Sequence, residues 1–191
     1  MTDLAERRGI ETDVYEPAED SVLLAETAVA EIEPSDLVLD VGTGSGFVGG
    51  RIRDDVGARV VGSDVNPHAC RRARDVGLDA VRADLVAPFR EGVFDVVTFN
   101  PPYLPANAEA ARDDWVEVAL TGGESGRAVI DPFLDGVGRV LASDGFVLLL
   151  VSTLTGVDAV VERAGDRGFS SVALAETSFP YETLVVLKLI P

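Results

Sequence analysis

The chain has 191 residues, 47% of them apolar, which suits one folded domain with a buried core and excludes a disordered polymer. No apolar run approaches the ~20 residues that span a bilayer. The charged start, Met1 to Glu11, has no signal core, so a cytoplasmic protein is expected. Thirty-three acids against 16 bases give a net charge of −17, which argues against direct nucleic-acid binding, since a phosphate surface needs clustered cations.

Fifteen of the bases are Arg and the only Lys is Lys188. Such an acid excess keeps a protein soluble at very high salt, where a Debye length of roughly 3 Å at 1 M hides self-repulsion. A halophilic, archaeal source is therefore expected, an ordinary acidic protein being the alternative. The single cysteine, Cys70, excludes an internal disulfide and a thiolate metal cluster, and reads as a small residue on a helix.

Residues 1 to 13 carry charge and few apolar positions, and are expected to be flexible or to lie over the surface. Pro17 and the acids Glu19 and Asp20 then open a helix whose apolar positions are Val22, Leu23, Ala25, Ala28, Val29 and Ile32. Pro34-Ser35-Asp36 ends it. Strand and helix alternate from there. Leu37 to Val41 is a strand, Gly42-Thr43-Gly44-Ser45-Gly46 a tight loop and Phe47 to Val56 a helix. Arg59 to Ser63 is a second strand, and Asn66-Pro67 opens a helix to about Val76. Asp79 to Ala83 is a short third strand and Phe94 to Phe99 a fourth, stopped by Asn100-Pro101-Pro102 because proline cannot donate to a ladder. Ala108 to Leu120 has mixed character, and Gly122, Gly123 and Gly126 form a loop before a helix from Arg127 to Leu141. Asp144-Gly145 signals a turn before the most apolar strand, Phe146 to Val151. Val157 to Ala164 is helical, and Phe169 to Glu176 and Thr183 to Ile190 close the chain as two strands with no helix between them. This is an α/β pattern: a mostly parallel, Rossmann-like sheet with helices on both faces and an antiparallel C-terminal hairpin, in a single domain spanning 1–191.

The loop after the first strand has glycine spacing G-x-G-x-G, with Asp40 two residues ahead of it. A dinucleotide fingerprint would be G-x-G-x-x-G, with a pyrophosphate on the helix end. An acid beside the loop repels a pyrophosphate and suits an ammonium or sulfonium. Asp64 lies 20 residues after Gly44, placed for a ribose diol. Asp84 can accept from an adenine amino group, with Leu85 beside the ring. Taken singly, these are turn glycines and helix-capping acids. Three acids after three successive strands point instead to a cofactor.

The loop Asn100-Pro101-Pro102-Tyr103 sits at the carboxyl end of a strand, where open α/β sheets bind ligands. An amide or aniline-like nitrogen is a poor nucleophile until its lone pair leaves conjugation. The Asn100 side-chain carbonyl and the Pro101 backbone carbonyl can do this by accepting from an NH₂ group. Pro102 fixes the direction of that carbonyl, and Tyr103 offers a flat face. His68 reads as solvated at a helix start. Trp115 and Arg112 to Asp114 are candidates for the substrate entrance, and Arg127 either faces a peptide or begins a helix.

These residues resemble a known family. Asp40 to Gly46, Asp64, Asp84-Leu85 and Asn100 to Tyr103 look like the signature of class I S-adenosylmethionine-dependent methyltransferases acting on planar nitrogens. Val14 to Ser21 and Thr121 to Arg127 are similar to segments of the short HemK-type protein methyltransferases of archaea and eukaryotes. The resemblance implies a seven-stranded sheet and methylation of the glutamine amide in the Gly-Gly-Gln motif of a translation release factor. It implies that Ser21, Asp40, Gly42, Gly44, Gly46, Asp64, Asp84, Leu85 and Asn100 contact S-adenosylmethionine, yielding S-adenosylhomocysteine, and that Asn100, Pro101, Pro102 and Tyr103 hold the glutamine. It also implies a small zinc-binding activator subunit, paired with the free sheet edge at Asp79, Ala80, Val81, Arg82 and Ala83. Alternatives are an N6-adenine-type nucleic-acid methyltransferase, a protein lysine methyltransferase, or a non-catalytic cofactor-binding subunit.

Overall fold

The strands β1 (Leu37–Val41), β4 (Phe94–Phe99) and β5 (Leu141–Ser152) are near-continuous apolar runs, as strands buried on both faces must be. A computed structural model describes residues 14–104 and 122–191 of the chain. The expectations for residues 1 to 13, for Ala108 to Leu120 with Trp115 and Arg112 to Asp114, and for Thr121 lie outside the described residues.

Around those three strands stand β2 (Arg59–Asp64), β3 (Asp79–Arg82), β6 (Ser170–Ser178) and β7 (Thr183–Ile190). Together they form a seven-stranded sheet in the order β3-β2-β1-β4-β5-β7-β6. The pairs from β3 to β5 are parallel, and β7 runs antiparallel to both β5 and β6. The helices are α1 (Glu19–Glu31), α2 (Phe47–Val56), α3 (Pro67–Asp75), α4 (Ile130–Val140) and α5 (Val157–Asp166). Among the described residues, no helix is long and apolar enough to cross a membrane.

Successive strand side chains point to opposite faces, so each central strand feeds two cores. Leu39, Val97 and Leu149 pack with Phe133, Leu134 and Val137 of α4 and Val160 of α5. Their neighbours Val38, Val96 and Leu148 pack on the other face with Leu24, Ala25 and Ala28 of α1, Ile52 of α2 and Ala73 of α3. Register carries this division: Val38 lies opposite Val96, and Leu39 opposite Val97. A one-residue slip would exchange the two cores wholesale.

Local chemistry sets the helix ends. Asn66 caps α3 by accepting from the His68 N–H, with Pro67 at the first helical position. Gly57, at φ +85°, closes α2 through its N–H to the Arg53 carbonyl.

Three elements differ from expectation by more than a shift of one or two residues at an end. In α1 the buried stripe runs through Leu24, Ala25 and Ala28, while Val22 is exposed and Val29 only half-buried. The helix expected from Arg127 begins at Ile130. Asp144-Gly145 is no turn: β5 runs unbroken from Leu141, with a register shift opposite β4 between Phe94 and Val96. A Cβ at Gly145 would fall 2.9 Å from the Phe94 carbonyl oxygen, so the glycine serves a close strand approach at the bulge.

Candidate active site

Asp40 organises the loop at the carboxyl ends of the strands. It is 2% exposed and sits across from Thr98 in the β1–β4 register. One carboxylate oxygen accepts from the Thr98 hydroxyl at 2.8 Å. The other accepts from the Thr43 hydroxyl at 2.7 Å and the Gly49 N–H at 3.2 Å. One side chain thus joins β1, β4, the glycine loop and α2. Gly49 makes this possible, because a Cβ there would lie 3.2 Å from the Asp40 carboxylate and 3.0 Å from Leu78. Burial raises the Asp40 pKa to about 6, against the opposing pull of the Thr43, Thr98 and Gly49 hydrogen bonds. Both oxygens are engaged within the protein, so Asp40 shapes the loop as well as bordering the space beside it.

That space is a cavity of about 240 Å³, far above the ~15 Å³ that one water needs. It brings together Ser21, Asp40, Gly42, Gly44, Asp64, Asp84, Leu85 and Asn100 to Tyr103, drawn from five separate stretches of chain. Asp64, at the end of β2, accepts from the Gly44 N–H at 3.0 Å and the Asn66 N–H at 2.9 Å. Its pKa is raised, chiefly by burial. Leu85 lies at φ +48°, the only non-glycine at positive φ among the described residues. Holding it there costs on the order of 1–2 kcal/mol, and it lines the cavity wall next to Asp84. Gly46 stands apart from the other two loop glycines. It is absent from the cavity lining, and its φ of +80° and close neighbours, Val76 and Ala73 at 2.9 and 3.1 Å from a would-be Cβ, make it the packing point of α2 on α3.

The described lining holds four carboxylates, Asp20, Asp40, Asp64 and Asp84, and no Lys or Arg. A pyrophosphate has no cation to meet there. A sulfonium or ammonium ligand does find opposite charge.

At the other side of the cavity, Asn100 follows β4 with its Nδ2 3.5 Å from the Ser21 Oγ. Its Oδ1 is buried and has no hydrogen-bond partner among the described residues. An unpaired buried acceptor costs roughly 1–3 kcal/mol, which a bound N–H donor would recover. Tyr103 is half-buried, and its phenol is held strongly protonated by burial first, then by the Asp20 and Glu182 carboxylates. It is thereby a hydrogen-bond donor and a flat surface rather than a base. Sequence reasoning missed Asp20, Tyr15, Thr43 and Asn66 as cavity residues. An acid beside Ser21 in a helix start was the one available signal, and it reads equally as a dipole partner. Arg127 neither faces the cavity nor starts a helix: it donates to the Thr155 carbonyl at 2.6 Å. His68 is half-buried on α3 and outside the lining.

A seven-stranded sheet of this order, with its last pair antiparallel and an acid-lined cavity at the strand ends, defines a class I methyltransferase. A family model described as a methyltransferase domain matches residues 38–123. A Methanocaldococcus jannaschii chain, provisionally named a protein N5-glutamine methyltransferase, is 34% identical over 92% of this chain and 91% of its own length. Human methyltransferase HEMK2 is 32% identical over 95% of this chain and 91% of its own. E. cuniculi Mtq2, solved in a complex with Trm112 that is described as responsible for methylating the translation termination factor eRF1, superposes with a TM-score of 0.78. It is 33% identical over 94% of this chain and 99% of that one. The chain belongs to the HemK-type protein methyltransferase family, in its short HEMK2/Mtq2 branch.

Proposed function

We propose that this enzyme methylates the side-chain amide nitrogen of the glutamine in the Gly-Gly-Gln motif of a translation release factor, using S-adenosylmethionine. The observation that carries this reading is the unpartnered, buried Asn100 Oδ1 beside Pro101 on the cavity wall. S-adenosylmethionine, when bound, supplies a methyl group on a cationic sulfur. The residues present fit it: the described lining is anionic without Lys or Arg, Gly42 at φ +62° sets the loop against the Phe99 ring, Asp64 ends β2 and Asp84 follows β3.

The chain's own part is positioning and charge. Asn100 Oδ1 and the Pro101 carbonyl accept the two amide N–H groups, which draws the nitrogen lone pair out of conjugation with its carbonyl. The same acceptors stabilise positive charge as it develops on the nitrogen. Tyr103 bounds the planar group on one face. The named activity of the E. cuniculi relative supports a release-factor substrate. A net charge of −17 and the absence of Lys and Arg among the described lining residues weigh against a nucleic-acid substrate. The chain works as one domain in the cytoplasm, where termination factors act.

The same relative is seen with Trm112, and we infer an equivalent small zinc-binding activator for this chain. The four-residue strand β3 ends the sheet with Val81 exposed, and although the Arg74 guanidinium donates to the Ala80 carbonyl, this is the edge where we place strand addition.

The test is mass spectrometry of release factor incubated with this protein, the activator and isotopically labelled methyl donor. Label is expected on the Gly-Gly-Gln glutamine, and label on any other residue overturns the substrate. Asn100→Ala is expected to lower kcat by at least about 10²-fold while cofactor binding stays measurable. Undiminished turnover in that variant removes the role given to Asn100.

A further inference from the structure

The amide slot is shaped by residues some 80 positions apart in the chain, and one buried carboxylate stands behind Ser21. Asp20 is 5% exposed at the first turn of α1. Its Oδ1 accepts from both the backbone N–H and, at 3.1 Å, the hydroxyl of Ser21. Its Oδ2 accepts from the Tyr15 hydroxyl at 3.4 Å. The Ser21 Oγ in turn is the atom that faces Asn100 Nδ2 at 3.5 Å.

Direction matters in this chain of contacts. A serine hydroxyl has one proton and two lone pairs. With its proton given to Asp20, the Ser21 oxygen is left as an acceptor, and the group it can accept from is the NH₂ end of Asn100. An amide has two ends. Fixing its nitrogen toward Ser21 leaves its oxygen turned the other way, where it is found buried and unpaired.

We infer that Asp20 is a positioning residue of the substrate slot, which sets the Asn100 amide through Ser21, so that the acceptor is fixed before substrate arrives. This rests on the amide-methyltransferase reading for its consequence in turnover, but the orientation of Asn100 can be read without any substrate. A carboxylate suits the position because three donors converge on it, the Ser21 N–H, the Ser21 hydroxyl and the Tyr15 hydroxyl, and an amide in its place has only one oxygen to share among them. The arrangement explains why an acid stands directly before Ser21. It contributes neither a proton nor a contact with the reacting atoms.

The test uses the full chain with ¹⁵N-labelled asparagine. There are three asparagines, Asn66, Asn100 and Asn107, so at most three side-chain NH₂ pairs appear, and Asn100→Asp identifies the middle one by its loss. In Asp20→Asn, labelled at asparagine in the same way and with the new pair identified by comparison, the Asn100 pair is expected to move toward free-amide shifts and to exchange faster with solvent. The Asn66 pair should stay in place. Ser21→Ala, a smaller change, should give the same response of the Asn100 pair. In turnover with release factor, Asp20→Asn should lose about 10- to 100-fold in kcat, with S-adenosylhomocysteine affinity changed less than about threefold. An Asn100 pair unmoved in both variants overturns the proposal. So does a shift of the Asn66 pair together with Asn100, which would make Asp20 a general support of the fold. If the parent protein fails to methylate glutamine, the substrate reading falls while the asparagine spectra still decide the role of Asp20.

Discussion

At the scale of single residues, Asp40 has a pH signature. Its folded-state pKa of about 6 lies above the ordinary carboxylate value, because burial outweighs its three hydrogen bonds. Between about pH 4 and pH 6 the folded protein therefore holds a proton that the unfolded chain has released. Stability must fall as pH rises through that window, and the loss persists above it. Two pKa units correspond to on the order of 3 kcal/mol. Asp64, also raised by burial, adds a slope of the same sign. Asp40→Asn removes only the Asp40 part. Urea unfolding of parent and variant at several pH values is expected to show a flatter dependence in the variant between pH 4 and 6. Equal slopes would mean that Asp40 does not titrate there. The variant can keep its amide oxygen toward the Thr43 hydroxyl and the Gly49 N–H and turn its N–H₂ to the Thr98 hydroxyl, which can rotate to accept.

At the scale of elements, β3 and the bulge in β5 show what a strand's edge and register are for. Val81 is 42% exposed on the terminal strand, while its neighbour Ala80 is buried. Val81→Glu adds a charge to the edge without entering the cavity, whose lining excludes both residues. Binding of the proposed activator, followed by size-exclusion chromatography, should fall at least tenfold, while S-adenosylhomocysteine binding is retained. Full assembly by this variant would place the interface elsewhere. The strands themselves were readable in the sequence because a core strand must be apolar on both faces: Leu37 to Val41 and Phe94 to Phe99 have the expected limits. Where one residue type serves two ends, reading failed. Asp144-Gly145 carries a turn's chemistry, yet Gly145 is needed for a close approach within a longer strand. Gly46 shares a loop with Gly42 and Gly44, yet faces Ala73 and Val76 of the next helix segment rather than the cavity. Asp20 and Tyr103 are neighbours only through the fold, and no spacing along the chain announces them.

At the scale of the whole molecule, charge separates local pairing from global repulsion. The described ion pairs engage Glu16, Glu31, Asp54, Asp55 and Asp135, and Asp135 alone takes both Arg163 and Arg167. The single lysine is likewise committed, to Glu31 at 2.8 Å and to the Phe146 ring at 3.9 Å. Surface pairs of this kind contribute little each, and salt weakens them. Against them stands a net charge of −17 on a 191-residue chain, whose self-repulsion salt also weakens. The two effects have opposite signs, and the excess of acids decides the sum. Raising KCl from 0.1 M to 2 M shortens the Debye length from about 10 Å to under about 3 Å, which removes most repulsion between exposed acids and costs only a few shallow pairs. The melting temperature should therefore climb with KCl, and the far-ultraviolet circular dichroism of the sheet and helices should decay on dilution into low salt. An uncharged osmolyte matched for osmolarity should not reproduce the gain if screening is the cause. A melting temperature indifferent to KCl over this range would leave the protein acidic but not adapted to salt, and the halophilic origin proposed for it would fall.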